Sequence, residues 1–233
     1  MSNLAVIPAR GGSKRIPRKN IKSFLGKPIM AYSIEAALES GLFDEVMVST
    51  DDKEIAEVAK SANAEIPFIR PSEFAEDTTP DRPVLIHFLE WYFNKEGKYP
   101  ALIVFLRPTS PLRKIDDLKK AIHRIKSNYL FSGLRSINKV EGIHHPFWMY
   151  KKDDEILKPF IDNIDITKYY QKQLLPDCYR LNGAIDILKP EVILNNKYIY
   201  GNRVTYIEID ERLSIDIDTK FDFELCEFMM KKN

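Results

Sequence analysis

Apolar positions along the first half of the chain alternate between short β-branched runs and stripes spaced three and four residues apart. That change of period predicts consecutive strand, helix and strand units feeding a parallel sheet. Residues 4–9 read as the first strand. Met30, Ile34, Ala37 and Leu38 follow at helical spacing, and Gly41 stands where a left-handed cap would stop the helix. Residues 45–49 predict a second strand, after which Thr50 or Asp51 caps a helix with Ile55, Val58, Ala59 and Ala62 on one face. A return to the sheet is expected at 65–69, and a helix with Pro83 in its first turn carries Leu85, Phe88, Leu89 and Tyr92. The uninterrupted apolar run 101–106 has the pattern of a central strand covered on both faces. Leu118, Ala121, Ile122 and Ile125 mark a further crossover helix.

Over 137–177 the alternation fails, and aromatic residues, paired charges and histidines take its place. This segment reads as an insertion. Core patterning resumes at 183–188 and 204–209, and 219–230 closes the chain as a helix. The expectation is an α/β domain over 1–233 on a mostly parallel sheet, with 137–177 inserted into it.

Charge changes the picture by exclusion. Lys and Arg number 35 against 34 Asp and Glu, a net charge of +1, so there is no broad basic surface for nucleic acid, and no RNA-stacking motif is present. With 44% hydrophobic and 30% charged residues, the chain has the apolar content to fold. No apolar run approaches the ~20 residues needed to cross a bilayer, and the N-terminus lacks the layout of a secretion signal. Cys178 and Cys226 lie far apart, outside any metal-ligand spacing. The expectation is that they pack in a reduced, cytoplasmic setting.

Candidate chemistry concentrates in three places. Residues 7–20, IPARGGSKRIPRKN, follow the first strand, where ligands of doubly wound sheets bind. Gly11 and Gly12 let backbone approach an anion, and Arg10, Lys14, Arg15, Arg18 and Lys19 supply positive charge, so the composition is that of a polyphosphate cradle. It matches neither the dinucleotide-binding fingerprint nor the Walker loop, and a solvated basic loop is the plain alternative. In SIDIDT, 214–219, strand periodicity would point Asp216 and Asp218 to one side, as a hard divalent cation such as Mg²⁺ requires; an exposed strand of alternating charge is the alternative. Asp222 is expected as an exposed residue in the first turn of the last helix. In YRLNGAI, 179–185, Arg180 offers a fork for a carboxylate, Asn182 donates and accepts, and Gly183 permits close approach.

These motifs, with VSTDD at 48–52, RPSEFAEDT at 70–78 and PTSPLR at 108–113, occur in the order seen in the acylneuraminate cytidylyltransferases, which the chain resembles over most of its length. The resemblance implies a Rossmann-like nucleotidyltransferase fold, a homodimer formed through the insertion, and transfer of CMP from CTP to a nine-carbon keto-sugar acid with Mg²⁺. By the same resemblance Arg10, Gly11, Ser13, Lys14, Lys19, Asn20 and Arg70 hold the nucleotide. Lys19, Arg10 and Asp216 form the catalytic set, with Lys19 stabilising charge at the phosphorus under attack. Asp216 and Asp218 bind Mg²⁺, and Arg107, Lys172, Arg180 and Asn182 face the sugar acid. His144 and His145 resemble the element that opens the family's insertion, with a structural or interface role expected. Arg107 stands where the family often has Gln, Lys172 where many relatives have Arg, and Asp81 where some have a small hydroxyl residue. A cytidylyltransferase for an eight-carbon sugar acid and a noncatalytic sugar-nucleotide binder remain as alternatives.

Overall fold

A computed structural model describes residues 2–232. Its strands are β1 (Asn3–Pro8), β2 (Ser23–Phe24), β3 (Lys27–Pro28), β4 (Glu45–Ser49), β5 (Leu102–Phe105), β6 (Gly133–Lys139), β7 (Tyr150–Asp153), β8 (Ile156–Pro159), β9 (Tyr179–Leu188) and β10 (Val204–Glu208). Its helices are α1 (Ile29–Ser40), α2 (Lys53–Ser61), α3 (Asp81–Glu96), α4 (Ile115–Lys126), α5 (Pro190–Asn195) and α6 (Lys220–Lys232). Six strands form the central sheet in the order β10, β6, β9, β5, β1, β4. β1 pairs parallel with β4 and β5, and β10 with β6, whereas β9 runs antiparallel to both its neighbours. The sheet is therefore mixed but mostly parallel.

Strand side chains alternate between faces, and here both faces are covered. Ala5 and Ile7 of β1 and Val104 of β5 join Met30 and Ile34 of α1 and Leu118 and Ala121 of α4 on one side. Leu4 and Val6, with Ile103 and Phe105, join Leu85, Phe88 and Leu89 of α3 and Ile193 of α5 on the other. This double covering is why the 102–105 run is continuously apolar. Gly41 ends α1 at φ 64°, as its position predicts.

Four local expectations are corrected. Asp52, not Thr50 or Asp51, caps α2, its carboxylate accepting from Ile55 N at 3.0 Å. Residues 65–69 form no strand; only Glu65 and Ile69 bridge to the sheet, and Pro67 between them removes a donor. β6 carries the sheet on to Lys139, so the irregular stretch begins later than residue 137. Residues 214–219 form no strand.

A third apolar cluster joins distant parts of the chain. Ile16 and Phe24 from the first loops pack with Leu112, Ile217, Phe223 and the buried Cys226. Phe24 sits edge-on to Tyr32 at 5.3 Å and to Phe223 at 5.2 Å between ring centroids. Burial pushes the Cys226 thiol up to about 12, in keeping with a packing role. Because Phe24 is fully buried where both chain ends meet, Phe24→Ala is expected to lose about 3–5 kcal/mol of stability, read by urea unfolding.

Candidate active site

The loop after β1 is pinned from behind. Gly11 N donates to Asp51 Oδ1 at 3.0 Å, and a Cβ at Gly11 would meet Asp52 Oδ2 at 2.8 Å, so a larger residue would have to displace the carboxylate that Arg18 holds. The anion its backbone approaches is thus a carboxylate of the protein. Arg18, left-handed at φ 56°, forks onto Asp52 and also pairs with Glu54, which takes it out of the expected cradle. Its hydrogen bonds to Asp52 and the nearby carboxylate charges raise its pKa. Asn20 is buried and donates to Arg10 O at 2.9 Å.

What this leaves facing outward is a cavity of about 520 Å³ lined by Arg10, Ser13, Lys14, Lys19, Asn20 and Arg70, among others. Arg10 and Lys14 both pair with Asp77 at its mouth, Arg10 at 2.9 Å, and hold that carboxyl below the ordinary range. Arg70 differs from the rest. Its guanidinium is buried, Nε and Nη2 have no hydrogen-bond partner, and the nearest carboxylate oxygen, on Asp51, stands 3.7 Å away. Burial lowers its pKa, and neighbouring Arg10 adds to that effect.

The C-terminal segment reaches this cavity by a series of tethers. Asn138 donates to Ile209 O at 2.5 Å, Ser214 Oγ to Asn138 Oδ1 at 2.7 Å, and Ile217 N to Thr109 O at 2.9 Å. Lys19 Nζ then donates to Ile217 O at 2.7 Å and lies 3.3 Å from Asp218 Oδ1. Asp222, half-buried rather than exposed, accepts from the amides of Asp218 and Thr219 and so fixes the start of α6. Asp218 faces the first cavity, whereas Asp216 faces a second, of about 840 Å³. The pair therefore straddles two cavities instead of sharing a strand face. Burial raises the Asp216 carboxyl, and the like charge of Asp218 adds to this.

Arg107 lines both cavities. Its Nη1 donates to Asp186 at 2.5 Å and its Nη2 to Asp81 at 2.7 Å. Asp186 also receives Arg135 Nε at 3.1 Å and Tyr200 Oη at 2.8 Å. The second cavity holds Arg180, paired with Glu211 at 3.0 Å, and Asn182. The side chain of Asn182 is engaged within the fold, by Ser136 and the Ala184 amide at its oxygen and by Asn138 at its nitrogen. Lys172 stands apart from both cavities, paired with Glu141 beside a smaller one. His144 borders the second cavity; His145 is buried, with Nδ1 accepting from Phe147 N and Nε2 hydrogen-bonded to Pro176 O, as a structural residue would be.

Residues 4–231 match the family described as Cytidylyltransferase. The chain belongs to the cytidylyltransferase family. It is a nucleotidyltransferase of the acylneuraminate cytidylyltransferase group, similar over its whole length to two bacterial relatives. It is 35% identical to the CMP-N,N'-diacetyllegionaminic acid synthase of Legionella pneumophila, covering 100% of this chain and 98% of that one. It is also 35% identical to the pseudaminic acid cytidylyltransferase of Campylobacter jejuni, with the same coverage. In fold it is similar to CMP:2-keto-3-deoxy-manno-octonic acid synthetase complexed with CTP, at a TM-score of 0.74 and 15% identity over 100% of this chain and 99% of that one.

Against the cytidylyltransferase motifs, sequence reasoning missed Asp77, Arg135, Asp186 and Tyr200. Asp186 did leave a signal: a carboxylate inside the apolar strand run AIDIL, where an acid is rare unless paired. Among the described residues, no group of three or more His, Cys, Asp or Glu can hold a metal ion unaided. Asp216 and Asp218 supply oxygen donors only, a set that fits a hard cation completing its sphere with phosphate oxygens.

Raising the Asp216 pKa on folding means that the folded state binds its proton more tightly than the unfolded chain does. The contribution is favourable in acid and is lost as pH rises through the folded pKa, leaving the ionised carboxylate as a penalty at neutral pH. Asp216→Asn should therefore raise the melting temperature at pH 7.5 in chelator, and the gain should shrink as pH falls below the ordinary carboxylate range. Thermal melts across that range measure it, and an equal gain at all pH values would contradict the electrostatic account.

Proposed function

We propose that the protein transfers CMP from CTP to the anomeric hydroxyl of a nonulosonic acid and releases pyrophosphate. The observation that carries this reading is the meeting of Lys19 with Ile217 and Asp218 at the rim of a cavity whose wall holds the unpartnered donors of Arg70. The names of the two full-length relatives support the acid class.

Arg10, Ser13, Lys14 and Asn20 hold the nucleotide in this account, while Gly11 only lets the loop pack on Asp51 and Asp52; Arg70 lies at the far side of the nucleotide, and the sugar acid enters the larger cavity from the side of Arg107 and Arg180. The hydroxyl oxygen of the sugar forms a bond to the α-phosphorus as the bridging bond to pyrophosphate breaks, and its proton passes to water. Such a transfer depends on positioning and charge neutralisation more than on a protein nucleophile. Lys19 supplies a fixed positive charge at the phosphorus, its stem buried and its ammonium held by Ile217 O. Asp216 and Asp218 would hold Mg²⁺, which when bound neutralises phosphate charge and polarises the incoming hydroxyl.

The domain reading, one cytidylyltransferase domain over 1–233 with an inserted dimerisation segment, is part of the proposal. Exposed apolar side chains in the insertion, Ile143, Leu157, Phe160 and Tyr170, support a homodimer. Sedimentation should give twice 27.1 kDa, and a species of 27.1 kDa alone would reject the dimer.

Pyrophosphate release from CTP, with and without Mg²⁺, should require N-acetylneuraminic, legionaminic or pseudaminic acid and should fail with the eight-carbon acid. Lys19→Ala should lower kcat by about 10²- to 10³-fold, the loss typical of one preorganised donor. Near-normal turnover by that variant, folded, would remove Lys19 from the mechanism.

A further inference from the structure

A cluster of buried and half-buried charges lies in the wall between the two cavities, and the transfer step above leaves most of it unused. Asp186 is fully buried near the C-terminal end of β9, directly across the ladder from Arg135 of β6. Arg107, Arg135 and Tyr200 all converge on its carboxylate. Arg107 in addition reaches Asp81, while the buried Arg113 donates to Ala184 O, to Ser33 Oγ and to Arg107 O, with no carboxylate among its hydrogen-bond partners. Within this hydrogen-bonded cluster three arginines face two aspartates; Asp216, assigned above to the metal, borders the same cavity and feels the Arg107 charge but makes no hydrogen bond to it. One positive charge is left over where unbalanced charge is expensive. Burial first, and the charge of Arg107 second, push the Arg113 pKa down to about 9.

Stability alone is a weak reason for such a cluster, because apolar replacement of buried ions is often neutral or stabilising. The excess has an outlet. Arg107 and Arg135 both border the larger cavity, with side chains 25% and 17% exposed. Each lies over an aromatic ring, Arg107 at 5.1 Å from the centroid of Phe105 and Arg135 at 4.3 Å from that of Tyr200. Other arginines at this cavity already have a carboxylate of their own, Arg180 with Glu211 and Arg212 with Asp210. We infer that Arg135, held beside Arg107 by Asp186, seats the carboxylate of the acid substrate in the larger cavity, with Asp186 as the positioning residue for both guanidinium groups. One incoming carboxylate brings the count to three against three. Only the identity of the acid rests on the proposed function.

The test is calorimetric titration of N-acetylneuraminic, legionaminic and pseudaminic acid, and of their methyl esters, into the full-length protein with saturating CTP and chelator. At least one acid should bind, and its ester, which lacks the charge, should bind about 10- to 100-fold more weakly, as for loss of a hydrogen bond to a charged group. Arg135→Met should weaken the acid by a similar factor while leaving its ester and CTP unchanged. Arg135→Lys should fall between, and Asp186→Asn should weaken the acid without affecting CTP. Melting curves identify any variant that fails to fold, and the ester comparison on the unsubstituted protein needs no variant at all. Equal binding of acid and ester, unchanged acid binding by folded Arg135→Met, or no binding of any acid by the unsubstituted protein would overturn the seat. A protein that discriminates acid from ester through Arg135 yet releases no pyrophosphate with Mg²⁺ would keep the seat and overturn the transfer reading.

Discussion

The candidate site depends on one hydrogen bond, from the Lys19 ammonium to the carbonyl of Ile217, across 198 residues of chain. The segment that carries Asp216 and Asp218 has no strand or helix to satisfy its backbone, so each polar group must find a partner elsewhere. Ile217 finds Thr109 for its N–H and Lys19 for its C=O. The closure entropy of so long a loop is met by apolar burial, Ile217 and Phe223 packing on Ile16 and Phe24. Packing brings the ends together; Lys19 then sets where the carboxylates stand. A group that is both tether and charge source couples the fold to the chemistry at one atom.

The wall between the cavities obeys a second constraint, that a cation placed inside the protein must be balanced. Two departures from the family pattern, Arg107 and Asp81, turn out to be partners at 2.7 Å. Neither is intelligible alone. An arginine at this position brings more donors than one carboxylate accepts, and Asp81 at the start of α3 and Asp186 within β9 divide them, while Tyr200 donates its hydroxyl to Asp186. Burial opposes the Arg107 charge, but Asp186 and Asp81 more than offset it and hold its pKa above the ordinary arginine value. Arg113, the last residue of PTSPLR, fixes the Arg107 backbone from beneath.

Where the sequence was legible, a regular period met an uncomplicated environment. The runs at β1, β4 and β5 and the stripes of α1 and α4 announce themselves because both sheet faces are buried and one face of each helix is. β6 was not foreseen, because GLRSINK places Arg135, Ser136 and Asn138 in the interior, where polar partners replace apolar packing. The acidic pair near the C-terminus was legible as chemistry but not as geometry. Period-2 reasoning assumes a strand, whereas the hydrogen bond that the Ser214 hydroxyl donates and those that the Asp222 carboxylate accepts hold this segment in irregular form. Arg18 was misplaced for a related reason: charge composition does not reveal which cations the protein itself consumes, and Asp52 and Glu54 consume this one.

The partners that the cradle keeps without a ligand set how much an anion gains there. Asp77 is about as exposed as Arg10 and much less exposed than Lys14, and solvent screens exposed pairs of this kind so that they contribute little. Phosphate oxygens that displace Asp77 therefore give up little, and a multiply charged phosphate exchanges a weak contact for a stronger one. Arg70 presents the opposite case. Its buried Nε and Nη2 make no hydrogen bond, so an acceptor arriving there displaces nothing and satisfies donors whose desolvation was already met in folding. Affinity and selectivity are thereby separated in space. The exposed cations at the mouth attract any polyanion, and the buried guanidinium favours one whose far side carries an acceptor at the right depth.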